Sequence, residues 1–196
     1  MNRHLIVFAK APALGRVKSR LAAGIGASAA LAFYRRTLAS VLRRVARDGR
    51  WTTTLAVTPD NSGPWPMRLP RRGQGGGDLG MRMGRVFRAW PPGPVVIIGA
   101  DIPDITAGHI ASAFRALGNA DAVFGPARDG GYWLVGLRRG SKLPGLFKDV
   151  RWSTKHALAD TLANLKGRRV ARIATLDDID DIAAYRRWRG RSSRGR

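Results

Sequence analysis

Short runs of apolar, often β-branched residues alternate along the chain with longer segments whose apolar positions recur at helical spacing. This alternation is typical of βαβ units, which build a largely parallel sheet covered by helices. Strands are predicted over residues 5–8, 52–57, 95–98, 122–124, 132–137 and 170–173. Helices are predicted over residues 28–47, 78–90, 105–117, 154–165 and 179–188. The pattern therefore predicts one α/β domain.

Three segments stand out from this alternation. The run Val95-Val96-Ile97-Ile98 is apolar throughout, which suits a central strand buried on both faces. Residues 59–77 contain Pro, Gly and Trp without periodicity, and a connection of that length is usually functional or mobile. Residues 186–196 form a like-charge run of arginines punctuated by Gly and Ser, which predicts disorder. We therefore expect a domain over residues 1–185 and a disordered basic tail.

The composition limits the chemistry that this domain can carry. The chain has 196 residues, with 35 Lys or Arg, 13 Asp or Glu, 3 His and no Cys. Without cysteine, disulfides, thiolate-bound zinc, iron–sulfur clusters and thiol catalysis are excluded. The histidines lack metal-ligand spacing, so any metal must be held mainly by oxygen. No segment approaches the ~20 apolar residues of a membrane-spanning helix or the core of a signal peptide. We expect a cytoplasmic protein without a membrane span.

The net charge of +22 raises nucleic acid as a partner, because clustered cations bind phosphates of any sequence. Most of the cations are arginine, a bias that a GC-rich genome produces without selection for binding. The six tryptophans are scattered, whereas proteins that bind single strands carry a series of stacking aromatic residues. A nucleic-acid-binding module is thus the alternative of another class, with contact expected only through the basic tail.

Cations are concentrated in the loop that follows the first predicted strand. In residues 11–20, Arg16, Lys18 and Arg20 recur at every second position. If this loop is extended, the three side chains share one side, where a polyphosphate fits. Gly15 permits a close backbone approach, but neither Gly-Lys-Ser/Thr nor Gly-x-Gly-x-x-Gly is present, which argues against ATPases and nicotinamide enzymes. A solvated basic loop is the alternative interpretation.

A carboxylate follows the apolar strand. Ligands of open parallel sheets bind beyond the carboxyl ends of the strands, where Asp101 is expected. A carboxylate there can hold a divalent ion against phosphate oxygens, and magnesium needs only one or two protein carboxylates. Asp104 is explained as the N-cap of the helix that begins near Ile105. We therefore predict Asp101 as a catalytic residue and the ligand of Mg²⁺ or Mn²⁺, in a pocket shared with the cationic loop.

Two further segments are candidates for binding an acceptor. In Asp129-Gly130-Gly131-Tyr132, the glycines would let an acceptor approach while Asp129 orients or deprotonates it, although a hairpin turn explains the same residues. Residues 152–154 precede a helix whose N-terminus could bind an anion, although a Ser or Thr N-cap is the ordinary explanation. Asp129 is thus a predicted catalytic residue, and the predicted acceptor-binding residues are Gly130, Gly131, Tyr132, Trp152, Ser153 and Thr154.

Two acidic positions have weaker signals. Asp78 lies in a glycine-dense run before a helix and either caps that helix or contacts a nucleoside. The acidic residues at 177–181 open the last predicted helix, where they complement the helix dipole. A second metal contact from Asp180 is the alternative interpretation of this acidic segment.

Together these motifs, in this order, resemble the radical SAM/selenodomain-associated transferase family of the glycosyltransferase-A-like superfamily. The resemblance covers nearly the whole chain except the basic tail. It rests on Phe8 to Pro12, Gly15 to Leu21, Gln74 to Met83, Gly99 to Asp104, Gly125 to Tyr132 and Trp152 to Thr154. It implies a nucleotide-diphospho-sugar transferase fold, which is a Rossmann-like mixed, mostly parallel sheet with helices on both faces, binding a nucleotide and a divalent metal.

The resemblance also implies roles for individual residues and a class of reaction. Cations of the first loop would contact phosphates, and Asp101 would hold the metal. The predicted nucleotide-binding residues are Ala11, Pro12, Gly15, Arg16, Lys18, Arg20 and Asp78. The expected function is a metal-dependent glycosyltransferase that uses a nucleotide sugar and an unknown acceptor. The alternative is a nucleotidyltransferase that releases pyrophosphate from a nucleoside triphosphate.

Overall fold

The computed structural model describes residues 2–91, 93–138 and 145–194, which contain one sheet of seven strands. The strands are β1 (His4–Lys10), β2 (Thr52–Thr58), β3 (Arg71–Gly73), β4 (Val95–Gly99), β5 (Ala122–Pro126), β6 (Tyr132–Leu137) and β7 (Val170–Arg172). Their order across the sheet is β3-β2-β1-β4-β6-β5-β7. Within the described ranges, only β6 pairs antiparallel, with β4 and with β5. The predicted mixed, mostly parallel sheet is confirmed.

Helices cover both faces of this sheet. They are α1 (Ser19–Ile25), α2 (Ala27–Val45), α3 (Leu79–Ala89), α4 (Ala107–Ala116), α5 (Ala157–Ala163) and α6 (Ile182–Arg194). Side chains of α2 and α4 join one core cluster with the sheet, and those of α3 join the cluster on the opposite face. Within the described residues, no helix combines the length and the apolar character that a membrane crossing requires.

The strand β4 lies near the middle of the sheet, between β1 and β6. Val96 and Ile98 pack into the cluster that contains α2 and α4, whereas Val95 and Ile97 pack into the cluster that contains α3. All four side chains are buried. The uninterrupted apolar run therefore forms a strand buried on both faces, as its pattern predicts.

Two elements within the predicted loops differ from the expectation. The helix α1 begins within the predicted loop at residues 11–20, between a left-handed residue at Lys18 and a break at Gly26. With seven residues, it is too short for a clear periodic pattern. The strand β3 lies within the predicted irregular connection at residues 59–77, and its three residues are all exposed. An exposed edge strand carries no apolar alternation that would reveal it.

The arginine-rich end of the chain also differs from the expectation. Residues predicted as a disordered tail continue α6 up to Arg194, and residues 195 and 196 lie outside the described part. The ring of Phe33 packs edge-on against Tyr185 and Trp188, with centroids 5.3 and 5.4 Å apart. This packing fixes α6 against α2, and a local count of like charges does not reveal it.

A glycine in β6 allows close packing between the sheet and α4. A Cβ atom at Gly136 would lie 2.7 Å from Val123, 3.0 Å from Val96 and 3.2 Å from Leu117. These neighbours come from β5, from β4 and from the end of α4, so no single side chain can move to make room.

Gly136→Ala is therefore expected to lower the free energy of unfolding by about 1–3 kcal/mol, because a methyl group overpacks this part of the core. Urea unfolding followed by circular dichroism measures the change. Gly49→Ala is the matched control, since a Cβ atom at Gly49 meets nothing within 4 Å. Equal unfolding midpoints for the two variants would contradict the packing described here.

Candidate active site

The adjacent parallel strands β1 and β4 end at the same edge of the sheet. The cationic loop leaves β1 there, and the segment with Asp101 leaves β4. A cleft of about 310 Å³ opens between them, and its lining includes Arg16, Lys18, Gln74, Asp101 and Asp180. The cationic loop and the acid therefore meet in one pocket, as expected for two segments that follow the carboxyl ends of parallel strands.

The ammonium group of Lys18 is the centre of the polar contacts at this cleft. Its Nζ atom lies 2.8 Å from Asp101 Oδ2, 2.8 Å from Asp178 Oδ1 and 3.5 Å from Asp180 Oδ1. The Lys18 side chain is only 2% exposed. Its backbone is left-handed (φ 49°, ψ 47°), which is uncommon for a residue with a side chain. Such strained positions persist where surrounding contacts hold them, often at functional sites.

The buried and the exposed cations share the charge of this cluster. Three carboxylates surround the buried ammonium, and Arg20 at the rim offsets part of the remaining negative charge through its contact with Asp180. Burial raises the pKa of Asp178 to about 6, helped by the charge of Asp101 and opposed by Lys18. Burial disfavours the charged form of Lys18, but Asp101 and Asp178 more than compensate and hold its pKa above the ordinary value. The cluster therefore keeps its internal cation in the charged form.

The other two cations of the loop lie near the opening of the cleft. Arg20 belongs to α1, and its Nη1 atom lies 3.4 Å from Asp180 Oδ2 with the side chain 70% exposed. Arg16 lines the cleft and is exposed. The loop is not extended, because the chain turns at Gly15 (φ 69°) and at Lys18 before α1 begins. The turn and the start of α1 thus place the three cations near one another at the cleft.

Polar contacts fix the backbone at the floor of the cleft. The Gln74 amide is buried and donates to the carbonyl groups of Ala56 at 2.7 Å and Ala9 at 3.4 Å, which ties the ends of β2 and β1. The Tyr34 hydroxyl donates to the Lys10 carbonyl at 2.8 Å and accepts from its N–H at 3.0 Å. Burial raises the pKa of Tyr34, so its hydroxyl stays protonated.

The segment between β7 and α6 carries two of the three carboxylates. Next to Asp178, Asp177 accepts from Arg128 Nε and from Arg191 Nη1, both at 2.7 Å. Arg191 also reaches Asp104 at 3.5 Å. This arginine, part of the predicted tail, therefore holds the acidic segment in place, although the nucleic-acid alternative assigns the tail arginines to phosphates.

The individual acids of this segment have different roles. Asp181 accepts from the N–H of Ala184 at 2.7 Å and so caps the start of α6. The dipole interpretation of the acidic segment holds for this residue, whereas Asp180 lines the cleft and faces Lys18. Asp178 is a site residue that the sequence analysis missed. In the sequence, Asp178 is distinguished only by its place among the acidic residues at the start of a predicted helix.

The remaining nucleotide-binding candidates do not line this cleft. Asp78 caps α3, and its Oδ1 atom accepts from the N–H of Met81 at 2.7 Å. Ala11 and Pro12 line a second cavity, on the other side of the loop. The N-cap of α4 is Thr106, so the assignment of that cap to Asp104 is wrong. Thr106 and His109 form a reciprocal capping box there, which satisfies the free N–H groups of the first turn.

The predicted acceptor loop forms the turn between β5 and β6. Asp129 Oδ1 accepts from the N–H of Gly131 at 2.9 Å, and Gly130 has a positive φ of 86°. A Cβ atom at Gly130 would collide with the carbonyl of Lys155. Tyr132 packs against Trp152, with ring centroids 6.3 Å apart. These residues lie beside one another, but they do not line the cleft of Lys18 and Asp101.

The predicted helix N-terminus at Thr154 is displaced. The helix α5 begins at Ala157, and its N-cap His156 makes no side-chain hydrogen bond. Thr154 instead accepts from the N–H of His156 at 3.2 Å and donates to the carbonyl of Arg151 at 2.8 Å. Ser153 has a positive φ of 60°, so a turn separates these residues from α5. Both side chains are exposed.

Among the described residues, no three Asp, Glu or His side chains form a ready-made metal cage. The carboxylates of Asp101, Asp178 and Asp180 instead converge on Lys18, which takes the place that a cation would have.

Comparison with solved structures supports this description of the fold. A protein from Desulfovibrio desulfuricans G20, provisionally named a nucleotide-diphospho-sugar transferase, is 28% identical with a TM-score of 0.85, over 92% of this chain and 84% of that chain. The 2-C-methyl-D-erythritol 4-phosphate cytidylyltransferase of Thermus thermophilus is 18% identical with a TM-score of 0.52, over 96% and 100% of the two chains.

A third structure contains a nucleotide and a metal. The glucosyl-3-phosphoglycerate synthase of Mycobacterium tuberculosis, in complex with Mn²⁺, UDP and phosphoglyceric acid, is 12% identical with a TM-score of 0.54. The match covers 90% of this chain and 69% of that chain. The chain thus has the fold shared by sugar transferases and cytidylyltransferases, which confirms the predicted fold class and agrees with the prediction of a transferase.

The sequence itself matches one family model. No protein of curated function matches the chain. The model DUF2064, described as "Uncharacterized protein conserved in bacteria", matches residues 40–154, which is more than half of the chain. The chain therefore belongs to the DUF2064 family of bacterial proteins.

Proposed function

We propose that this chain is a metal-dependent transferase that uses a nucleotide-activated donor, and that it transfers a sugar from a nucleotide sugar. The observation that carries the proposal is the contact at the cleft, where Lys18 of the cationic loop lies 2.8 Å from Asp101. The name of the similar Desulfovibrio protein supports the same chemistry. Within the superfamily, we propose membership of the radical SAM/selenodomain-associated transferases, whose motifs those of the chain resemble.

The donor phosphates lie, in this proposal, between Arg16 and Lys18. Arg16 is exposed at the cleft and has no carboxylate partner among the described residues, so its guanidinium is available for a phosphate. Lys18 exchanges a carboxylate for a phosphate oxygen when the donor enters. Cations held in place before the reaction stabilise the negative charge that develops on the leaving phosphate. Ala11, Pro12, Gly15, Arg20 and Asp78 remain the other proposed contacts of the nucleotide.

The carboxylates at the cleft can supply oxygen ligands to a divalent metal ion, although they form no complete metal site by themselves among the described residues. Their oxygen atoms already converge on one cation, and hard ions such as Mg²⁺ and Mn²⁺ take carboxylate oxygen ligands. Asp101 and Asp180, which line the cleft, would hold the ion, with Asp178 behind them. When bound, the ion supplies Lewis-acid stabilisation of the phosphate oxygens. The Mycobacterium tuberculosis synthase holds Mn²⁺ together with UDP on the same fold.

The acceptor approaches from the turn between β5 and β6. Asp129 is exposed there, and Gly130, Gly131, Tyr132 and residues 152–154 remain the proposed acceptor contacts. In sugar transfer, an acceptor oxygen attacks the anomeric carbon, the bond to the phosphate oxygen breaks and a nucleoside diphosphate leaves. The acceptor proton passes to a base, which we assign to Asp129.

The products distinguish sugar transfer from nucleotidyl transfer. In the second reaction an acceptor phosphate attacks the α-phosphorus of a nucleoside triphosphate, and pyrophosphate leaves. A thermal-shift screen of nucleotides and nucleotide sugars with Mn²⁺ identifies the donor, because a ligand that binds only the folded chain raises its melting temperature. Release of a nucleoside diphosphate supports sugar transfer. Release of pyrophosphate, or no nucleotide effect on melting, contradicts the proposal.

Asp101→Asn is expected to weaken Mn²⁺-dependent nucleotide binding by about tenfold or more, which corresponds to ~1.4 kcal/mol. The amide cannot supply the charge that holds the ion. Titration calorimetry with excess Mn²⁺ measures the affinity. Asp149→Asn is the matched control, because Asp149 is 86% exposed and asparagine tolerates its positive φ of 54°. Unchanged affinity in Asp101→Asn would refute the role of Asp101.

Lys18→Met is expected to lower the free energy of unfolding by about 3 kcal/mol, because it leaves three carboxylates without their internal cation. Mn²⁺ should restore more stability to this variant than to the wild type, since the ion then has no ammonium to displace. Thermal unfolding with and without Mn²⁺ measures both effects. The exposed Lys166→Met serves as the control. If Mn²⁺ stabilises the wild type, Lys18→Met and Lys166→Met equally, the ion and the Lys18 ammonium do not share a position.

A further inference from the structure

A second cavity of about 850 Å³ lies on the other side of the loop that leaves β1. Residues 11–13 separate it from the cleft, and α2 and residues 63–66 form its other walls. The contact between Tyr34 and Lys10 fixes α2 against β1, so two of these walls are held together. The volume is in the range of cavities that hold small organic molecules. Of the nucleotide contacts proposed above, only Ala11 and Pro12 line it, through the loop that it shares with the cleft.

The cavity has an apolar surface, and all the charged residues in its described lining are cations. Leu38, Pro64 and Trp65 are among its apolar lining residues, and the described residues that line it include no acid. The charged lining residues are arginines of α2, at positions 35, 36 and 43. Arg35 donates to the carbonyl of Pro12 at 3.3 Å.

Two of these arginines are available to a ligand. Arg36 and Arg43 are exposed, and neither has a carboxylate partner within the part of the chain that the structure describes. They are seven positions apart on α2, so they share one face of the helix at a spacing of about 10 Å along its axis. The fixed fork of donors on a guanidinium matches a carboxylate or a phosphate in two parallel hydrogen bonds.

Trp65 supplies the apolar part of the site. Its indole N–H donates to the carbonyl of Ser62 at 2.7 Å, which fixes the orientation of the ring. The ring is half-buried, so part of it remains open to the cavity. Because the indole N–H is already used, the ring offers a ligand an apolar surface rather than a hydrogen bond.

We propose that this cavity binds a small amphipathic anion, with a carboxylate or phosphate paired to Arg36 or Arg43 and a flat apolar body against Trp65. A cationic ligand is repelled by the arginines. An uncharged ligand desolvates the guanidinium groups without replacing their hydrogen bonds, which costs binding energy. The proposal does not depend on the transferase function, since it rests on residues that the Lys18 cluster does not include.

The probe for this site is 8-anilinonaphthalene-1-sulfonate, a flat aromatic anion whose fluorescence rises in apolar surroundings. The full chain is expected to bind it at one site, and Arg43→Gln is expected to weaken that binding about fivefold, which corresponds to ~1 kcal/mol. Arg47→Gln is the matched control and should bind like the wild type, because Arg47 is exposed beyond the end of α2 and does not line the cavity. The uncharged N-phenyl-1-naphthylamine should bind the wild type more weakly than the sulfonate does.

Competition and a double variant complete the test. Excess UDP with Mn²⁺ should leave the sulfonate bound, whereas displacement would place the probe in the cleft and overturn the proposal. Equal sulfonate affinity of the wild type and of the Arg36→Gln/Arg43→Gln double variant would also overturn it. Both arginines are exposed, so these variants are expected to melt like the wild type, which thermal unfolding checks. Trp65→Leu, if it melts normally, should weaken the binding of both probes.

Discussion

The burial of one ammonium group constrains the whole candidate site. Lys18 cannot lie 2% exposed unless carboxylates compensate its charge, and breaking such a buried pair leaves a charge without a partner. Its partners come from the segment after β4 and from the segment before α6. The same contacts therefore determine three features of the site. These are the left-handed turn at Lys18, the start of α1 and the position of the acidic segment. The same carboxylates are the oxygen ligands that the proposed function offers to a metal ion.

Much of the fold could be predicted, because burial leaves a periodic pattern in the sequence. The run at residues 95–98 is a strand buried on both faces, as its continuous apolar character requires. The elements that were missed have no such pattern. The helix α1 is short, β3 is an exposed edge strand, and the end of α6 is ordered by the packing of Trp188 on Phe33. The structure of these segments depends on contacts with residues that are distant in the sequence.

The site was predictable in its location but only partly in its contacts. The rule that ligands bind beyond the carboxyl ends of parallel strands placed Asp101 and the cationic loop together. It could not show that Lys18 faces carboxylates, nor that Asp178 would join them. The local pattern at residues 129–132 favours a turn and an acceptor site equally, and the structure contains the turn.

The contact between Lys18 and Asp178 spans 160 positions of the chain. On the ribosome, the first strands of a protein emerge and begin to fold before its last helix has been made. During that interval the ammonium of Lys18 has at most the partners that precede β7. The Lys18 cluster acquires all its carboxylates only after residue 180 has been synthesised, so a chain released before residue 178 lacks two of them.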